Sequence, residues 1–111
     1  MVELKKRDLT IVKKIIEEIS EVSAFIDEMD EHEFYTDAKT QKAVAMTLIN
    51  IGELSTAFTA DFIDRKKNIP WKDIRAMRNV AAHNYGAFNM EVAWKTVKED
   101  FPKLQKELET P

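Results

Sequence analysis

Apolar residues recur every three or four positions along most of this chain, and that spacing constrains the fold more than any other feature. Repetition near 3.6 residues is typical of an amphipathic α-helix that buries one face. With only 2 Gly and 3 Pro in 111 residues, the chain also lacks the turn-formers that many short strands would require. The pattern predicts an all-α protein. Its first apolar stripe runs from about Asp8 to Asp30 and contains Leu9, Val12, Ile15, Ile16, Ile19, Val22, Ile26 and Met29.

The same criterion predicts a second and a third helix. An acidic segment at residues 32–36 breaks the first stripe and is predicted to be a connection, after which the second helix runs from about Asp37 to Phe58 or beyond. Residues 65–68 form the next polar connection. Pro70 suits the first turn of the third helix, because the N–H that proline lacks would have no partner there. Gly86 is expected to end that helix.

The fourth helix is predicted to begin after Asn89, whose side chain can cap it. Pro102 is expected to kink this helix or to restart it as a short fifth helix, because it removes the hydrogen bond to the carbonyl of Lys98. A chain of 111 residues suits a single hydrophobic core. We therefore predict one domain over residues 1–111, an antiparallel four-helix bundle with an optional short fifth C-terminal helix.

Gly52 lies in the interior of the second predicted helix, where glycine costs about 1 kcal/mol relative to alanine. A close approach by another helix at this position would explain its presence. Glu53, the next residue, is predicted to be a surface acid.

Charge is distributed unevenly, although the net charge of −3 argues against a generic nucleic-acid coat. Residues 21–37 contain seven acidic residues and no Lys or Arg. Residues 65–78 contain one Asp among six basic residues, and such a run is usually a solvated surface. Because it leads into a potential catalytic motif, it would also attract a polyanion to that motif. The candidate polyanion-binding residues are Arg65, Lys66, Lys67, Lys72 and Arg75.

The absence of cysteine excludes a disulfide framework and any thiolate metal site, and it suits a reducing cytosol. The first eight residues lack the apolar run of a signal peptide, and no window approaches the ~20 apolar residues that span a bilayer. The sequence contains no His-x-x-x-His pair and no carboxylates at a spacing that a metal would require. We expect a cytoplasmic protein without a membrane segment, a metal or a cofactor.

Residues 78–85, with the sequence Arg-Asn-Val-Ala-Ala-His-Asn-Tyr, combine side chains that can act on a phosphate. His83 can move protons near neutral pH, and Arg78 can hold a phosphate through two N–H donors. The hydroxyl of Tyr85 can bind a ligand or be modified. On spacing alone, the competing interpretation is a helix end with a solvated Arg, a capping His and a packed Tyr.

The helical positions of these residues predict a site shared between two copies of the chain. Arg78 and His83 point about 140° apart on a continuous helix, whereas Asn79 and His83 share a face. One copy therefore holds Arg78 and His83 apart. Two copies related by a two-fold axis through this helix would bring both pairs into one cleft, which requires a homodimer.

The pattern Arg78-Asn79-x-x-x-His83-x-Tyr85 resembles the signature of the HEPN superfamily, and its final tyrosine resembles that of the HepT branch. The similarity covers nearly the whole chain and is most specific over residues 44–104. Segments outside the motif also agree with the family: Ile51-Gly52-Glu53, Ile69-Pro70-Trp71-Lys72-Asp73-Ile74, Val92-Ala93-Trp94 and Phe101-Pro102-Lys103-Leu104.

The resemblance implies a helical homodimer that acts as a metal-independent endoribonuclease toxin and leaves a 2′,3′-cyclic phosphate. It implies catalytic roles for Arg78 and His83, a supporting role for Asn79, and RNA as the polyanion bound by the basic stretch. It also implies an antitoxin partner, a minimal MntA-like nucleotidyltransferase, that transfers AMP to the motif tyrosine. In this chain the modified residue would be Tyr85.

Two functions of other classes stay open at this stage. The domain could be a non-catalytic subunit that presents a nucleotide or another substrate to a nucleotidyltransferase, with the basic stretch as its ligand site. Alternatively, it could be a dimeric interaction module in which the motif is a remnant. RNA cleavage that is lost on changing His83 would distinguish the enzyme from both.

Overall fold

The computed structural model describes residues 5–110, and every regular element within that range is helical. The expectation of no signal peptide rests partly on residues 1–4, which lie outside the described range. No helix among the described residues is long and apolar enough to cross a membrane. The elements in chain order are α1 (Lys6–Ile26), α2 (Glu31–Tyr35), α3 (Ala38–Ser55), α4 (Ala60–Arg65), α5 (Trp71–His83), α6 (Met90–Lys95) and α7 (Phe101–Glu109).

The predicted all-α fold is confirmed, and α3 is its central element. This helix packs against both α1 and α5, while α7 packs against α1. Helices α1 and α3 are antiparallel: Arg7 near the start of α1 bonds to the carbonyl of Ala57, whereas Glu18 accepts from Asn50 further back along α3. The apolar faces of the helices meet in one core, which includes Ile15, Val22, Val44, Ile51, Phe62, Ala93 and Val97.

A buried carboxylate ties the start of α1 to the connection after α3. Asp8 is only 2% exposed, and it accepts hydrogen bonds from the backbone N–H of Thr59 at 2.9 Å and from its hydroxyl at 2.7 Å. The Thr59 hydroxyl oxygen accepts in turn from the N–H of Phe62 and caps α4. Because these bonds satisfy both carboxylate oxygens, the cost of burying Asp8 is offset.

Two segments differ from the prediction because short helices form inside them. The acidic connection at residues 32–36 contains α2, whose start is closed by a reciprocal capping box between Asp30 and Glu33. The second predicted helix ends at Ser55 rather than Phe58, and α4 follows as a separate helix. At this end the hydroxyls of Ser55 and Thr56 donate to the carbonyls of Ile51 and Glu53.

Aromatic packing holds α4 against the start of α5. The rings of Phe58 and Phe62 stack with centroids 4.3 Å apart, and Trp71 meets both rings edge-on. The indole N–H of Trp71 donates to the carbonyl of Lys66 at 3.0 Å. Pro70 occupies the cap position, one residue before the first turn in which it was predicted.

The C-terminal part is helical from Met90 to Glu109, and of the two predicted effects of Pro102 it shows the restart as a separate helix. Asn89 accepts hydrogen bonds from the N–H groups of Glu91 and Val92 and thereby caps α6. A π-helical segment, residues 96–100, then leads into α7, with Pro102 in its first turn. The helix restarts there because Pro102 has no N–H for the carbonyl four residues earlier, and a wider turn avoids its ring.

Candidate active site

The predicted motif lies at the C-terminal end of α5 and in the turn that follows. The helix ends at His83, and Tyr85, Gly86 and Ala87 form a single 3-10 turn. The helix therefore stops before the point predicted from Gly86. That glycine does not adopt a positive φ and so forms no left-handed cap, and Asn84 is the capping residue instead.

Arg78 is held against α3 by contacts along its whole side chain. A Cβ built on Gly52 would overlap the Cβ and Cγ of Arg78, which confirms the predicted close helix approach at this glycine. At the other end of the side chain, Nη1 donates to Oε1 of Glu53 at 2.5 Å. The side chain of Arg78 is 18% exposed, and its Nε is buried without a hydrogen-bond partner.

Glu53 is 60% exposed, which agrees with its prediction as a surface acid, but sequence reasoning did not find that it pairs with the motif arginine. The sequence did contain an indication of this pair. Gly52 predicts the close approach of another helix, and the next residue, Glu53, is near the side chains of that approaching helix.

Gly52→Ala should destabilise the fold, because the added methyl group meets atoms close to the α5 backbone and cannot be relieved by a rotamer change alone. We expect a loss of about 1–3 kcal/mol in the free energy of unfolding, measured by urea denaturation. Gly86→Ala is the matched control, because a Cβ there meets nothing within 4 Å. Equal stability of the two variants would contradict the close approach.

His83 and Asn79 lie on the exposed face of α5, four residues apart. Arg78 is directed to the other side, against Gly52 and Glu53. The arrangement agrees with the predicted separation of Arg78 and His83 within one chain. The structure brings Asn79 and His83 onto one face, and it does not bring Arg78 to them.

Tyr85 is half-buried beside the core, where its ring meets Phe88 edge-on at a centroid distance of 6.0 Å. The second tyrosine, Tyr35, has a different environment. Desolvation, together with the negative charges of Glu31 and Glu91, raises the pKa of the Tyr35 phenol. Its phenolate is therefore disfavoured, and the surrounding carboxylates repel an anionic nucleotide.

The first half of the predicted basic surface forms intramolecular contacts. Arg65 pairs with Asp61 at 2.8 Å, and Lys67 pairs with Asp64 at 3.4 Å. Lys66 is only 9% exposed, and its ammonium donates to backbone carbonyls near the end of α7, those of residues 107 and 110. Lys66 is thus directed into the fold and cannot also face a phosphate, which corrects its assignment to the basic surface.

Lys72 and Arg75, the second half of that surface, are exposed on α5. With Asn79 and His83 they form a line at spacings of three, four and four residues, which keeps all four on one face. We call these four residues the α5 stripe. It is about 16 Å long, since eleven residues separate its ends.

A cleft lies away from the motif. It has a volume of about 450 Å³ and an apolar floor that includes Ile69, Ile74, Met77 and Leu104, and it lies between the first half of α5 and α7. It opens on the reverse side of α5 from the α5 stripe.

Within residues 5–110, no three His, Asp or Glu side chains are grouped so that they could hold a metal ion.

Comparison with known proteins agrees with the motif. The family model described as Ribonuclease HepT-like matches residues 15–110. "Putative RNase MJ1380" of Methanocaldococcus jannaschii is 36% identical over 107 residues, 96% of this chain and 98% of that protein. "Probable ribonuclease HepT" of Thermococcus cleftensis is also 36% identical, over 96% of both chains. No solved structure matches significantly. The match over almost the full length shows that this chain belongs to the ribonuclease HepT-like family.

Proposed function

We propose that this protein is a metal-independent endoribonuclease, the toxin of a toxin–antitoxin pair, acting in the cytoplasm. The observation that carries the proposal is that α5 presents an exposed histidine, His83, and, on a different side of the helix, an arginine whose guanidinium is held by Glu53. One can transfer protons and the other can stabilise negative charge, which suffices for RNA cleavage. Family membership supports the same activity.

RNA supplies its own nucleophile, so the protein needs little machinery. His83 removes the proton of the 2′-hydroxyl, whose oxygen attacks the adjacent phosphorus while the bond to the 5′-oxygen breaks. A second histidine, protonated, donates to the departing 5′-oxygen. Arg78 stabilises the charge that develops on the phosphoryl oxygens, and Asn79 orients His83 or the phosphate. The products are a 2′,3′-cyclic phosphate and a 5′-hydroxyl.

Purified protein with synthetic RNA in EDTA tests this function. We expect cleavage that chelation does not reduce and a cyclic phosphate end detectable by mass spectrometry. Activity that disappears in EDTA and returns with Mg²⁺ would refute the mechanism. Tight nucleotide binding without cleavage would instead favour the non-catalytic presenting subunit.

The second histidine comes from a partner copy in the composite site that we propose. Ala82 is exposed on the part of α5 that lies between Arg78 and His83 around the helix. A two-fold contact through Ala82 would bring Arg78 and His83 of both copies to one cleft, with the two α5 stripes on either side of the contact.

The dimer should be detectable by sedimentation equilibrium at micromolar concentration, with a mass about twice the 12.9 kDa of one chain. Ala82→Glu should shift the protein to monomer and abolish cleavage, because it places two like charges at the proposed contact. Met46→Glu is the control, since Met46 is an exposed apolar residue on α3. A wild-type monomer that cleaves RNA would rule out the composite site.

We propose that RNA follows the α5 stripe, with Lys72 and Arg75 contacting phosphates on one side of the cleavage point. At roughly 3.4 Å per phosphate along a stacked strand, the stripe of about 16 Å spans about five nucleotides. Arg65 and Lys67 lie at the margin of this surface, and their pairing with Asp61 and Asp64 reduces their contribution.

Replacing both Lys72 and Arg75 by Gln should weaken RNA binding and flatten its salt dependence. Each lost phosphate contact removes about 0.7 from the slope of log K against log salt for a single strand, so we expect a decrease of about 1.4. Binding is measured by fluorescence anisotropy in a His83→Ala background. Arg65→Gln with Lys67→Gln is the matched control and should change the slope less. A larger decrease of the slope in the Arg65/Lys67 variant than in the Lys72/Arg75 variant would place the RNA on α4.

The antitoxin in this proposal is a nucleotidyltransferase that modifies Tyr85. The Tyr85 oxygen attacks the α-phosphorus of ATP, pyrophosphate leaves, and AMP remains on the phenol. Tyr85 lies two residues beyond His83, just after the end of α5. An attached AMP would therefore bring a negative charge and a bulky nucleoside to the place that the RNA phosphate must occupy.

A further inference from the structure

We propose that Glu53 is a positioning residue that holds the guanidinium of Arg78 in the orientation required for cleavage. The inference rests on the proposed function and adds to it a residue outside the α5 motif. Its basis is the 2.5 Å contact between Oε1 of Glu53 and Nη1 of Arg78, together with the overlap that any Cβ on Gly52 would have with the stem of Arg78.

Two contacts at opposite ends remove most of the freedom of the Arg78 side chain. Its Cβ and Cγ lie in the groove that Gly52 leaves on α3, so the first torsions are restricted. Its Nη1 is held by a carboxylate on the next residue of the same helix. Since α3 supplies both contacts, the guanidinium is fixed relative to one rigid element.

The distribution of N–H donors shows which edge of Arg78 can meet a phosphate. A guanidinium has five N–H donors in a planar fork. The Nε–H is buried and unpartnered, and one Nη1 donor is occupied by Glu53. The donors left for substrate are at the Nη1–Nη2 end of the fork. Burial of the Nε–H therefore excludes a side-on approach and leaves an end-on approach to the phosphate, through the small part of Arg78 that solvent reaches.

If the guanidinium of Arg78 is fixed before the substrate arrives, it stabilises the transition state more than it strengthens ground-state binding. A free arginine must lose rotamer freedom when it grips the phosphoryl oxygens, whereas a preorganised one loses less. Loss of Glu53 should consequently reduce kcat more than it changes KM. If Glu53 instead blocked Arg78 by competing with phosphate, its removal would strengthen RNA binding and raise activity.

The test compares Glu53→Ala and Glu53→Gln with a control that removes a neighbouring charge. We expect Glu53→Ala to lower kcat by about 30-fold or more, because misplacement of a catalytic group by about 1 Å can cost 10²-fold, with KM changed less than about threefold. Glu53→Gln keeps an oxygen that accepts from Nη1 and should recover much of kcat. Glu17→Gln should match wild type, since Glu17 lines the same shallow groove as Glu53 and is not the partner of Arg78.

An NMR measurement separates failure of this inference from failure of the proposed function. The order parameter of the Arg78 Nε–H bond, assigned by loss of its signal in Arg78→Lys, should exceed about 0.8 in wild type and fall below about 0.6 in Glu53→Ala. If the wild-type protein does not cleave RNA, the proposed function is refuted. The order parameter then decides by itself whether Glu53 holds the Arg78 side chain. Glu53→Ala with wild-type kcat, higher kcat or an unchanged order parameter overturns the positioning role.

Discussion

His83→Ala should abolish RNA cleavage while leaving the fold intact. General acid–base catalysis contributes about 10²–10⁴-fold, and in a symmetric dimer the substitution removes both the base and the acid. We therefore expect a rate at least about a thousandfold below wild type, measured on a fluorogenic RNA. Helicity should not change, because His83 is exposed in the last turn of α5.

The other histidine provides the control for this variant. His32 is exposed on α2 within the acidic segment, so His32→Ala should cleave RNA at the wild-type rate. Arg78→Ala should lower the rate by about 10²–10³-fold, the usual cost of removing one donor to a developing oxyanion. Appreciable activity in His83→Ala would exclude this histidine from the chemistry and leave the motif with a structural role.

The second large effect is expected at Tyr85. Co-expression with a neighbouring nucleotidyltransferase, where one is encoded, should yield protein heavier by one or more AMP units. Peptide mapping should locate them on Tyr85, and the modified protein should not cleave RNA. Inactivation follows from the negative phosphate and the nucleoside placed two residues from His83, where they repel and obstruct the substrate.

Tyr35 and Tyr85→Phe serve as the two controls for that result. Tyr35 should stay unmodified, because desolvation and the charges of Glu31 and Glu91 raise the pKa of its phenol. Tyr85→Phe should escape modification and remain active, provided that the hydroxyl takes no part in cleavage. If the mass is unchanged by the partner and Tyr85→Phe behaves as wild type in every assay, Tyr85 is a packing residue beside Phe88.

The motif and its surroundings differ in how far they could be predicted. Arg78, His83 and Tyr85 were recognisable because residue types at fixed spacing carry chemical meaning without any knowledge of packing. The close approach at Gly52 was also predictable, since a glycine inside a helix needs a reason. The role of Glu53 was not, because it depends on which residue α5 places opposite it.

Local periodicity by itself determined that this chain is helical, roughly where its main helices lie, and that Arg78 and His83 diverge within one copy. These properties depend on spacing along the chain, which the amino-acid order contains directly. The tertiary structure alone decided which charges remain free. Lys66 lies next to other basic residues in sequence, yet it is directed to the carbonyls at the end of α7, 41 or more residues away. Such pairings depend on how helices pack, and periodicity carries no information about them.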